Sequence, residues 1–65
     1  MEIVFNGKSC VTQSANLLEL LKEFDLEGKK VAIEVNREIV PRTTFGETPL
    51  APGDVIEVVH FVGGG

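Results

Sequence analysis

An α+β fold, a mixed β-sheet with one main helix packed across one face, is predicted by three features of this sequence. Five short segments have the residue pattern of strands, one segment repeats its leucines at helical spacing, and they occur in the order strand, strand, helix, strand, strand, strand. Strands turn successive side chains to opposite faces, whereas helices bring residues three and four apart onto one side, so the two periods separate the elements.

Glu2-Ile3-Val4-Phe5 alternates polar and apolar residues, Asn6-Gly7 is a strong two-residue turn signal, and Ser9-Cys10-Val11 returns. The first two strands therefore form a β-hairpin. Asn16 followed three residues later by Glu19 fits an Asn-initiated capping box, and Leu17, Leu20, Leu21 and Phe24 place an apolar stripe on a helix of about two turns. Asp25-Leu26-Glu27-Gly28 closes it. Val31-Ala32-Ile33-Glu34-Val35, rich in β-branched residues, is a third strand expected at the centre of the sheet. Asn36-Arg37 turns into Glu38-Ile39-Val40, a short strand expected at an edge because Pro41 lacks the N–H that pairing requires.

Arg42 to Ala51 has no clean period and reads as a surface crossing with one helical turn near Phe45. Pro52-Gly53-Asp54 is a turn, and the run from Val55 to Phe61 is the longest strand-like segment, expected in the sheet interior. This order is the β-grasp arrangement. Residues 1–61 make the domain, and residues 62–65 are expected to be a flexible C-terminal glycine tail.

A chain of 65 residues allows one small domain, which buries only roughly 60% of the surface it exposes when unfolded. That leaves no room for an enclosed active site. With 43% hydrophobic and 25% charged residues the composition is that of a folding chain, and the single cysteine, Cys10, excludes an internal disulfide. The formal net charge is -4, and after Arg42, the last basic residue, come Glu47, Asp54, Glu57 and the terminal carboxylate. Such a surface repels phosphate backbones and argues against nucleic acid as a partner. No basic region precedes an apolar stretch and no apolar run approaches the ~20 residues of a spanning helix, so neither membrane nor secretion is indicated. The expected location is cytoplasmic.

Chemistry-bearing side chains are few. No phosphate loop and no Gly-x-Ser-x-Gly elbow is present, and the carboxylates are scattered as on a solvated face. Cys10, alone in a strand, reads as a small hydrophobe, and one cysteine with one histidine, His60, falls short of a zinc ligand set. The feature a structural account explains least well is the end, Val62-Gly63-Gly64-Gly65. Glycines raise the entropy cost of ordering, yet four residues, three of them glycines without a Cβ, extend at most ~13–14 Å and would thread a narrow channel in a partner. The reactive group is then the Gly65 carboxylate; the competing reading is a frayed terminus.

In the last strand Ile56 and Val58 alternate with Val55, Val59 and Phe61, so both faces are apolar. Either neighbouring side chains cover the outer face, or that face is a docking patch leading into the tail. We take the second reading, with Val55, Val59, Phe61, Val62, Gly63 and Gly64 as partner-binding residues.

Asn6-Gly7 in the hairpin, Leu17-x-x-Leu20-Leu21 in the helix, Val31-Ala32-Ile33 and Asn36, Val40-Pro41-Arg42, and Gly53-Asp54-x-Ile56-Glu57-Val58-Val59 leading to Val62-Gly63-Gly64-Gly65 together carry a resemblance over nearly the whole chain. In their order and spacing the chain resembles the ThiS family, the ubiquitin-like sulfur carriers of thiamine thiazole biosynthesis. It departs from the pattern at Asn16, where threonine is usual, and at Phe45, where tryptophan is expected. Both substitutes keep the physical role.

The resemblance implies a ubiquitin-like β-grasp whose Gly65 carboxylate is adenylated by an E1-like adenylyltransferase using ATP and magnesium. Sulfur from a cysteine desulfurase then arrives as a persulfide and displaces AMP, leaving a thiocarboxylate (1-thioglycine) that thiazole synthase accepts. The chain itself would bind no cofactor and no metal, and would be a co-substrate of its partner enzymes rather than an enzyme. Two other readings stand beside this one: a carrier for molybdopterin synthase or another sulfur pathway, and a noncovalent ubiquitin-like interaction module.

Overall fold

The computed structural model describes residues 1–60, the last of them, His60, by its backbone alone. Phe61 and the expected tail Val62, Gly63, Gly64 and Gly65 lie outside the described residues. Strands β1 (Glu2–Phe5), β2 (Lys8–Val11), β3 (Val31–Val35), β4 (Glu38–Val40) and β5 (Val55–His60) form one sheet in the order β2-β1-β5-β3-β4, and helix α1 (Leu17–Glu23) lies across it. The pairs β1·β2, β3·β4 and β3·β5 are antiparallel, while β1 runs parallel to β5. The predicted α+β β-grasp with a mixed sheet is the observed one.

Both hairpins close through two-residue turns whose central residues have positive φ, Asn6 (51°) with Gly7 (82°) and Asn36 (52°) with Arg37 (72°). Turns of this hand match the twist of the flanking strands. β4 is an edge strand and β5 is interior, as expected. The centre, however, belongs to β5, and β3 stands between β5 and β4. Strand order depends on the parallel pairing of the first and last strands, a contact between the two ends of the chain.

Asn16 caps α1, its Oδ1 accepting from the Glu19 N–H at 2.9 Å, while Glu19 Oε1 accepts from the Ala15 N–H at 2.9 Å. The reciprocal arm of the capping box thus reaches one residue further back than the sequence suggests. Leu17, Leu20 and Leu21 are buried, but Phe24 sits on the C-cap, partly exposed, with its ring stacked on Phe5 at 4.2 Å between centroids. Leu26 N–H donates to Leu21 C=O and Asp25 N–H to Lys22 C=O, the two bonds of a Schellman ending. Asp25, at φ 59°, takes the left-handed position that glycine usually holds.

The segment read as a surface crossing contributes to the core. A 3-10 helix spans Arg42–Glu47, and Phe45 and Leu50 are buried with Ile3, Ile33, Ile56 and the α1 leucines. Two backbone bonds, Leu17 N–H to Thr48 C=O and Leu50 N–H to Ala15 C=O, bind this crossing to the start of α1. Burying Phe45 and Leu50 stabilises the domain by about 1.5–3 kcal/mol each.

At the far end of α1, the Glu23 carboxylate accepts hydrogen bonds from the buried hydroxyls of Thr12 and Ser14, tying the helix to the end of β2. These bonds, Thr12 foremost, hold the Glu23 carboxyl below its ordinary value of 4.5 against a smaller opposing effect of burial. A depressed folded-state pKa contributes stability that is present above the unfolded value and lost as pH falls through the folded one. Wild type should therefore lose stability relative to Glu23→Gln as pH drops below 4.5, with no change in their difference near neutrality. Urea unfolding of both proteins across that range measures it; a difference that stays constant in acid contradicts the assignment.

Candidate functional site

α1 covers one face of the sheet and leaves the other without a covering element among the described residues. β5 runs through the middle of this outer face. Val55 is 36% exposed and Val59 46%, with the exposed Glu57 between them, because Ile56 and Val58 take the opposite side against α1. Of the residues expected to bind partners, the structure brings Val55 and Val59 onto one exposed face. The others, Phe61, Val62, Gly63 and Gly64, like Gly65 itself, lie outside the described residues.

Register extends the patch beyond what β5 alone suggests. Ala32 stands opposite Val59, Glu34 opposite Glu57, and Val4 beside Val55. Ile39, opposite Glu34, is 69% exposed, and Val11, opposite Glu2, is 72% exposed. The alternation in Glu38-Ile39-Val40 and Ser9-Cys10-Val11 carries the signal, since Val40 and Cys10 pack against the core and their neighbours must face outward.

Two asparagines hold β5 in place. Asn36 N–H donates to Val55 C=O at 2.8 Å, its Oδ1 accepts from Val55 N–H at 2.9 Å, and its Nδ2 donates to Asp54 Oδ1 at 3.1 Å. On the other side Asn6 N–H donates to Ile56 C=O at 2.9 Å and its Oδ1 accepts from Val58 N–H at 2.8 Å, where β1 has already turned away. The Asn6 amide thus stands in for a missing strand rung and satisfies the Val58 N–H.

The face carries charge as well as apolar surface. Glu34 and Glu57 lie directly opposite each other, a like-charge arrangement that destabilises an isolated sheet. Arg37 and Asn36 border the same face beside Val55 and Glu57. A partner offering apolar side chains and a cation would relieve the repulsion while covering the valines.

Cys10 is a half-buried free thiol opposite Ile3, on the helix side of the sheet. Among the described residues no group of three or more His, Cys, Asp or Glu could hold a metal ion, and no helix is long and apolar enough to cross a membrane.

Comparison with known proteins accounts for the whole chain. The model of the ThiS family matches residues 2–65. The sulfur carrier protein ThiS of Bacillus subtilis is 44% identical over 62 residues, which cover 92% of this chain and 94% of that protein. A thiazole synthase of Paramagnetospirillum magneticum is 38% identical over 66 residues, covering 100% of this chain but only 20% of the synthase. This chain therefore spans about a fifth of that longer relative. Among solved structures, the crystal structure of a thiamine biosynthesis protein (ThiS) from Geobacter metallireducens superposes with a TM-score of 0.85 at 33% identity, covering 100% of both chains.

Proposed function

Since this chain belongs to the ThiS family, we propose that it is a sulfur carrier of thiamine thiazole biosynthesis whose cargo is held on the Gly65 carboxylate. The observation that carries the reading is the family match itself, which runs through Val62-Gly63-Gly64-Gly65 to the last residue. A carrier needs no catalytic side chain of its own; in this reading the chemistry belongs to its partners.

A carboxylate oxygen is a poor leaving group. In the proposed cycle the Gly65 carboxylate attacks the α-phosphate of ATP on an E1-like adenylyltransferase, which holds the magnesium, and pyrophosphate departs. The terminal sulfur of a persulfide, supplied through a cysteine desulfurase, displaces AMP. A second thiol reduces the resulting acyl disulfide and leaves the thiocarboxylate. Val55 and Val59 on the outer face, with Phe61, Val62, Gly63 and Gly64 beyond them, dock on the partner so that the tail enters its channel.

Thiazole synthase is the proposed acceptor. Support comes from the thiazole synthases that contain a segment similar to the entire chain, since domains joined in one protein commonly act together. The test incubates the carrier thiocarboxylate separately with thiazole synthase and with molybdopterin synthase. Thiazole formation with the first alone is expected, and product with the second alone overturns the proposed recipient.

The mechanism uses no internal thiol. Cys10→Ser should load and deliver sulfur at the wild-type rate in the same assay. Loss of transfer by a folded Cys10→Ser protein would require a persulfide or disulfide step on this chain.

A further inference from the structure

On the side of the molecule away from the outer sheet face, a groove of about 200 Å³ opens where α1, the loop after it and the 3-10 helix meet. Its apolar walls are Leu18, Leu21, Leu26, Val31 and Phe45, and Lys29 and Arg42 stand at its rim with Glu27. The rim is held together by one bond, Arg42 Nη2 donating to the Lys29 carbonyl at 3.0 Å. Two of the chain's six basic residues, Lys29 and Arg42, thus line the groove in a protein of net charge -4. Both are exposed, and neither makes an ion pair among the described residues. Glu27, by contrast, already faces Lys22 at 3.8 Å.

We propose that this groove docks an acidic segment of a protein partner, with one large apolar side chain seated between Leu18, Leu26 and Phe45 and flanking carboxylates on Lys29 and Arg42. Charge complementarity selects the occupant. Unpaired cations around an apolar hollow favour an anionic ligand. Position supports a partner that also handles the tail: Val31, a wall of the groove, is paired with His60, the last residue of β5. The inference rests on the carrier reading only for the identity of that partner.

The probe is an acetylated and amidated pentapeptide, Glu-Asp-Leu-Asp-Glu, titrated into the isotope-labelled full chain and followed by amide NMR shifts, with Lys-Lys-Leu-Lys-Lys as control. Shifts confined to Leu18, Leu26 to Val31 and Arg42 to Gly46 are expected with the acidic peptide only, fading near ~1 M salt, where charges beyond about 3 Å are screened. Lys29→Glu combined with Arg42→Glu should weaken binding roughly tenfold, whereas Lys29→Arg should not. Unlocalised shifts, equal binding of the basic peptide, or an affinity untouched by charge reversal in a folded variant would overturn the proposal. So would concentration-dependent shifts of the same amides without peptide, which would give the groove to a second copy. A wild-type chain that binds the peptide here but accepts no sulfur would contradict the carrier reading alone.

Discussion

Deleting Gly65 should abolish sulfur loading or slow it by at least about a hundredfold. The shortened chain moves its carboxylate back by ~3.3–3.6 Å, the reach of one extended residue, and a misplacement near 1 Å already costs on the order of a hundredfold in rate. Gly64→Val should fail for a different reason, since in the proposed docking a branched side chain would have to enter a channel that admits glycine backbone. Both changes leave every residue of the described core in place, and the thermal midpoint should stay at the wild-type value. The loading rate with ATP, the adenylating partner and sulfide measures the first effect, and a melting curve the second. Loading of the truncated chain at the wild-type rate would remove Gly65 from the mechanism.

Val59→Asp should weaken binding to the adenylating partner or to thiazole synthase by at least roughly thirtyfold, about 2 kcal/mol. Val59 is nearly half exposed on the outer face, so the free protein tolerates the change at a cost of up to about 1 kcal/mol in strand propensity. In a complex the new carboxylate would be desolvated beside Glu57 and Glu34, which already face each other. Charge and burial act in the same direction, and the loss should appear mainly in the dissociation rate. Calorimetric titration of the folded variant against both partners checks it. Unchanged affinity for both would mean that the outer face is not the docking surface.

Much of this architecture was legible because its signals are local. Asn6-Gly7 and Asn36-Arg37 determine hairpins over a few residues, and the capping pair Asn16 and Glu19 with three leucines defines a helix. What escaped a local reading depends on contacts between distant residues. The central place of β5 follows from its parallel pairing with β1, and the Asn6 side chain finds Val58 across 52 positions of sequence. Phe45 and Leu50 entered no periodic pattern because a short 3-10 helix and a bridge present single apolar residues to the core. The outer patch was half visible: Val55 and Val59 stand out in a long strand, whereas Val11 and Ile39 are lone apolar residues in short edge strands, where exposure is unremarkable until register places them on one face.

The central claim is that sulfur is carried on the last residue of this chain. Intact mass spectrometry of the wild-type protein after incubation with ATP, magnesium, the adenylating partner and sulfide tests it directly, with fragmentation to locate the change. The predicted result is replacement of one oxygen by one sulfur at Gly65, dependent on ATP and absent from the Gly65 deletion. An unchanged mass under conditions where a Bacillus subtilis ThiS control is converted, or sulfur located on any other residue, would contradict it.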